Sequence, residues 1–213
     1  MYEDLKAKII DYGKKLDRYG LIALSGGNIS CRLGNDLFLV TPSGMVYEEL
    51  VPSDICLVNK DGQVVEGQRK PSVDTEALLY IYNHLSEVNA VIHTHQPYAT
   101  ALGLISNRID CDLTTLANTA KGHVNVAPYA SAASIDMGIS AVDHLDGKLA
   151  VVLKNHGVLT VGKDLKEAFY AAVYLEEASK TIAVARSLNT DIAKLSEEQI
   201  QKAVEVFTHY GQK

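Results

Sequence analysis

The run Ala90-Val91-Ile92, closed by His93-Thr94-His95, constrains the fold more than any other part of the chain. Consecutive apolar residues must be buried on both sides, so this segment reads as an interior strand. Successive side chains of a strand point to opposite faces, so His93 and His95 project from the same face. A second apolar run, Val151-Val152-Leu153, leads through Lys154-Asn155 to His156 and then Gly157. Imidazole is a common zinc ligand, and a mononuclear catalytic site takes three protein ligands and leaves a position open. His93, His95 and His156, each at the end of an apolar run, therefore read as one metal site built on rigid elements. His84, His123, His144 and His209 stand in no paired spacing and read as surface or internally satisfied residues.

The chain has 213 residues, enough for a single domain over 1–213 with a sizeable core. Its net charge of −6 and the lack of a basic cluster argue against a nucleic-acid partner. A small phosphorylated substrate remains compatible, since backbone amides and one or two cations hold a phosphate inside an acidic protein. Cys31, Cys56 and Cys111 are widely spaced and form no Cys-X-X-Cys pair, so they read as reduced thiols. The first residues carry no signal-peptide pattern and no apolar run approaches a membrane span, which predicts a cytoplasmic protein without a membrane partner.

Leu5, Ile9, Tyr12 and Leu16 recur at helical spacing, predicting a helix over 3–19 that stops at Gly20. Residues 37–40 read as a strand. Residues 55–58 and 64–65 flank Asp61-Gly62, a hairpin signal. A helix is predicted over 73–85, the interior strand over 90–95, and a short helix opened by Pro97. An extended stretch over 124–129 precedes a helix over 134–145, whose Gly138 is unfavourable. Strands at 149–154 and 158–161 are followed by helices at about 164–187 and 196–208. Long helices with hairpin-like strand pairs predict an α/β domain with a mixed, largely antiparallel sheet and helices on both faces. The Gly-X-Gly-X-X-Gly turn of dinucleotide folds is absent.

Three loops rich in small residues could carry a phosphate. In Ser25-Gly26-Gly27-Asn28-Ile29-Ser30 the glycines allow close backbone approach and Asn28 offers an amide. Thr41-Pro42-Ser43-Gly44 offers a hydroxyl and amides. Lys70-Pro71-Ser72-Val73-Asp74 leads into a predicted helix, whose N-terminus favours anions. Singly, each also reads as an ordinary turn or helix cap.

Together these loops, His93-Thr94-His95 with Pro97-Tyr98-Ala99-Thr100, Asn155-His156-Gly157 and the terminal Tyr210-Gly211-Gln212 resemble the class II aldolase/adducin family. The motifs span nearly the whole chain. The resemblance implies a three-layer α/β/α sandwich that assembles as a homotetramer with interfacial active sites, and one Zn2+ per subunit on His93, His95 and His156. It places the substrate phosphate on Gly27, Asn28, Ser43, Gly44 and Ser72. It makes Asp74 the acid/base and Tyr210 the group handling the proton on the aldehyde oxygen. The expected reaction is retro-aldol cleavage of a ketose 1-phosphate, similar to L-fuculose 1-phosphate, to dihydroxyacetone phosphate and a small aldehyde through an enediolate held at the metal. The alternative is 4-epimerisation of L-ribulose 5-phosphate.

The chain departs from the family pattern at five places, one of them Ala77-Leu78, where several relatives have a histidine. Val73 replaces a second serine, and Asp74 stands where the aldolases have glutamate and the epimerases aspartate. Asn118 replaces the epimerase acid, and Thr114 falls near an aldolase tyrosine. A non-catalytic scaffold, as in adducin-like relatives, and metal-assisted dehydration or decarboxylation of a sugar acid are the further readings. Retention of three histidines argues against the scaffold.

Overall fold

The computed structural model describes residues 2–34, 36–188 and 190–207. Among the described residues, nine strands form one sheet: β1 (Asn28–Arg32), β2 (Leu37–Val40), β3 (Cys56–Asn59), β4 (Val64–Glu66), β5 (Ala90–Thr94), β6 (Arg108–Ile109), β7 (Val124–Ala127), β8 (Ala150–Leu153) and β9 (Gly157–Gly162). Their order is β4-β3-β2-β1-β5-β9-β8-β7-β6. Only β7 and β8 run parallel; the other neighbours are antiparallel. The strand that carries His93 and leads into His95, β5, is central, between β1 and β9.

Seven α-helices among the described residues cover the sheet: α1 (Glu3–Arg18), α2 (Thr75–His84), α3 (Pro97–Ile105), α4 (Thr114–Ala120), α5 (Ile135–Leu145), α6 (Leu165–Ser187) and α7 (Glu197–Phe207). Strand alternation sorts the core into two layers. Val91 of β5 and Val151 and Leu153 of β8 pack with Leu78 and Ile81 of α2 and Met137 and Ala141 of α5. On the opposite face, Ala90 and Ile92 pack with Ile9 and Leu16 of α1 and Phe169 and Ala172 of α6. Ala150 and Val152 join Leu102 of α3, Leu116 of α4 and Leu175 of α6 on that same side. The result is the expected three-layer α/β/α sandwich. Burying β5 on both faces fixes its register, because a one-residue slip would turn His93 into the opposite layer.

Local signals explain most boundaries. Acidic Glu3 and Asp4 open α1 and basic Lys15 and Arg18 close it, matching the helix dipole. Asp164 Oδ1 accepts from the Glu167 amide at 2.8 Å and Glu167 Oε2 accepts from the Lys163 amide at 2.7 Å, capping α6. The Asp61-Gly62 turn joins β3 to β4 as expected. Gly138 does not interrupt α5: a side chain there would meet the Ala77 backbone oxygen at 2.6 Å, so glycine lets α5 lie close against α2.

Three elements differ from the sequence reading. The glycine-rich loop gives way at Asn28 to β1, in which Ile29 and Cys31 face the core while the intervening positions are polar. The short β6 and α4 were not anticipated; α4 is rich in threonine, and its helicity rests on packing against α6 and α7. Among the described residues, no helix is long and apolar enough to cross a membrane.

Candidate active site

His93 lies within the β5 ladder, paired with Asn28 of β1 on one side and Leu159 of β9 on the other. It is buried, at 1% exposure. Its Nδ1 donates to the Val158 carbonyl at 2.9 Å, which leaves Nε2 of the neutral ring as an unprotonated ligand atom. That Nε2 stands 3.1 Å from Nε2 of His95 and 3.3 Å from Nε2 of His156. His95 follows the last residue of β5, and its amide donates to the Leu21 carbonyl at 3.1 Å. His156 occupies the tight turn between β8 and β9, where Asn155 is left-handed with φ 61°. Gly157 makes this approach possible. A side chain there would overlap the Thr94 carbonyl oxygen and come within 3.1 Å of the His95 ring and 3.3 Å of the His93 ring.

The three ligand atoms lie within 4.8 Å of one another. Tetrahedral zinc with bonds of about 2.05 Å separates its nitrogens by roughly 3.3 Å, so the arrangement fits a small divalent cation. The electrostatics agree. Burial pushes His93 down from 6.5 to about 4, helped by the neighbouring His156 and opposed by Asp74. Burial also lowers His95 and His156, again against the Asp74 charge. All three rings are therefore neutral at pH 7, the form that binds a metal.

Asp74 precedes the first turn of α2, but its side chain does not cap that helix. Its Oδ2 accepts from Asn28 Nδ2 at 2.8 Å and its Oδ1 from the Ala133 amide at 3.1 Å. The carboxylate is thus held on both oxygens and its charge bears on all three imidazoles. The cap of α2 falls to Ser72, whose carbonyl accepts from the Thr75 amide at 3.1 Å and whose Oγ accepts from the Asp74 amide at 3.3 Å.

The three small-residue loops meet beside Asp74. Thr41 ties them together: its Oγ1 accepts from the Ile29 amide and its carbonyl accepts from the Ser72 amide at 2.9 Å. The Ser43 amide donates to the Lys70 carbonyl at 2.9 Å, and Pro42 bridges to Pro71. Ser43 and Gly44 remain exposed, whereas Ser72 is buried. Gly27 has φ 74°, and a side chain there would strike the His93 carbonyl oxygen. This makes glycine the residue for that position on two grounds.

Asn28 is brought to the loops as the sequence implied, yet its amide nitrogen is engaged by Asp74 and its Oδ1 is buried without a partner. Val73 beside Ser72 is 63% exposed. Thr114 and Asn118 belong to α4, in the layer across the sheet from α2. Tyr210 lies outside the described residues. The sequence reading missed two contributors. Ala133 acts through its backbone, which leaves no signal in residue type. Thr41 was seen only as one hydroxyl among several in a turn.

Residues 7–183 match the profile of the Class II Aldolase and Adducin N-terminal domain. The chain belongs to the class II aldolase and adducin family. The family's aldolases are metal-dependent lyases, and the chain is an enzyme of that kind. It is 31% identical over 208 residues to 5-deoxy-D-ribulose 1-phosphate aldolase of Bacillus thuringiensis serovar kurstaki, covering 97% of each chain. It is 29% identical over 215 residues to an L-ribulose-5-phosphate 4-epimerase of Salmonella typhi, covering 94% of this chain and 93% of the other. Among solved structures, an L-fuculose 1-phosphate aldolase superposes with a TM-score of 0.92 at 32% identity over 98% of both chains.

Proposed function

We propose that this class II aldolase cleaves a ketose 1-phosphate, of the L-fuculose or 5-deoxyribulose kind, into dihydroxyacetone phosphate and a small aldehyde, using one zinc ion per subunit. The observation that carries the reading is the meeting of three neutral imidazoles with a doubly anchored carboxylate and a cradle of small-residue loops. Two relatives, matched over 97% and 98% of their length, bear the names of such aldolases.

His93, His95 and His156 would hold the cation, which supplies Lewis acidity for the negative charge that develops on the ketose oxygens. Ser43, Gly44 and Ser72, with the Gly27–Asn28 backbone, hold the phosphate and keep the sugar in register. Retro-aldol cleavage requires two proton movements. The hydroxyl beside the breaking carbon–carbon bond loses its proton as its carbon becomes the aldehyde, and Tyr210 relays that proton to solvent. The carbon left behind on the phosphorylated fragment takes a proton, which Asp74 delivers after taking it up from solvent, returning to the carboxylate. Anchoring Asp74 between Asn28 and Ala133 keeps that transfer aimed at one carbon.

The same reading includes a cytoplasmic homotetramer. Leu24, Val73 and Tyr129, which are 75%, 63% and 68% exposed, are apolar surface for a neighbouring subunit to cover. A second activity, 4-epimerisation of L-ribulose 5-phosphate, is favoured by the aspartate at position 74 and by the similarity to an epimerase. The deciding experiment is a panel of phosphorylated ketoses on the zinc-loaded protein. Dihydroxyacetone phosphate from L-fuculose 1-phosphate or 5-deoxy-D-ribulose 1-phosphate is the expected result. Conversion of L-ribulose 5-phosphate without cleavage of either 1-phosphate would replace the aldolase with the epimerase.

A further inference from the structure

Behind the imidazoles, on the α6 side of the sheet, sits a buried acidic residue with no part in the chemistry above. Glu176 of α6 is 6% exposed, and its two oxygens accept from the amides of Tyr98 and Ala99 at 2.9 and 3.0 Å. These amides belong to the first turn of α3, where they have no partner within the helix. The residue that would ordinarily supply the cap is occupied elsewhere. Gln96 accepts from Thr94 Oγ1 at 2.7 Å and donates to the Ala172 carbonyl at 3.3 Å. Pro97 has no amide to offer. A carboxylate from another helix, 77 residues away in sequence, therefore caps α3.

The segment fixed in this way carries His95. That residue lies beyond the β5 ladder and is exposed, and the only hydrogen bond described for its ring is the one to His93. The direction of its ring thus depends on where the backbone leaves β5 and enters α3. One end is held by the Leu21 carbonyl and the other by Gln96 and Glu176.

We propose that Glu176 is a positioning residue of the metal centre: by capping α3 from α6 it fixes the backbone that aims His95 at the cation. The proposal rests on the assignment of the three histidines as ligands. Cobalt(II) serves as the probe, because its visible absorption reports ligand geometry independently of turnover. Wild-type protein should bind one equivalent, and His95→Ala should lose it. Glu176→Gln keeps the side-chain volume but turns an amide toward α3. It should weaken cobalt binding at least 10-fold and change the intensity of the visible band. Leu175→Ala removes buried bulk from the adjacent position of α6 and should lower thermal stability while leaving both cobalt readouts as in wild type. A wild-type chain that binds no cobalt overturns the ligand assignment itself. If wild type binds and Glu176→Gln matches its affinity and spectrum, the positioning role is wrong. It is equally wrong if Leu175→Ala weakens binding as much, or if Glu176→Gln yields no folded protein, since Glu176 is then a stability element alone.

Discussion

Replacing Gly157 with alanine tests the geometry of the site at its tightest point. The added methyl would overlap the Thr94 carbonyl oxygen, part of the β5 backbone, and crowd the His95 and His93 rings at 3.1 and 3.3 Å. A strand glycine replaced by alanine otherwise gains some stability from the stiffer unfolded chain, about 0.4–1 kcal/mol. Here the backbone oxygen cannot swing aside as a flexible side chain would. The start of β9 must shift away from β5, an overpacking cost of about 1–3 kcal/mol. For a chain of this size that lowers the melting temperature by roughly 2–12 °C. The same shift moves His156 away from its partners, so zinc affinity should fall about 10-fold or more. Thermal melts of the metal-free protein and a competition titration with a chromophoric chelator read the two effects separately. Gly34→Ala is the control, because a side chain at Gly34 meets nothing within 4 Å. A Gly157→Ala protein with the melting temperature and zinc affinity of wild type would refute the claim that this glycine sets the ligand spacing.

Acidification should destabilise the metal-free protein over a defined range. His93 titrates near 4 in the folded chain and at 6.5 in the unfolded one, so between those values the unfolded state binds more protons and stability falls as pH falls. The loss for this residue reaches roughly 3 kcal/mol by pH 4, and urea melts across pH 7 to 4 check it. Asn28→Ala should leave zinc content intact and lower kcat at least about 10-fold with little change in KM, because its amide serves Asp74. A rise in KM for the phosphorylated substrate at constant kcat would return Asn28 to the phosphate. Tyr210→Phe should depress turnover far more than metal content, and wild-type turnover would remove that residue from the mechanism.

The central layer was readable because burial on both faces leaves a plain mark: unbroken apolar runs at 90–92 and 151–153, the first closed by His93 and the second leading through Lys154-Asn155 to His156. The Asp61-Gly62 turn was readable because its chemistry is local. β1 was hidden because its strand character rests on two alternate residues, Ile29 and Cys31, after a pair of glycines that dominate any local reading. α4 was hidden because it forms through contacts with α6 and α7. In the site, residue types announced the ligands, while the anchoring of Asp74 did not show. One of its donors is a backbone amide, and the other is a side chain that had suggested a different partner. Glu176 gave no signal at all, standing beside Glu177 in a helix where one is buried and the other faces outward.

His93 and His156, which meet at a single point, are 63 residues apart along the chain, and β5 joins β9 only after three helices and three other strands have been placed between them in sequence. An ion therefore has no local loop to grasp in the unfolded polypeptide; the binding geometry exists only once the distant ladder has closed. Metal uptake should therefore come last, as the loading of a finished scaffold. Refolding should run at the same speed in chelator as in zinc, with the ion slowing only the return to the unfolded state.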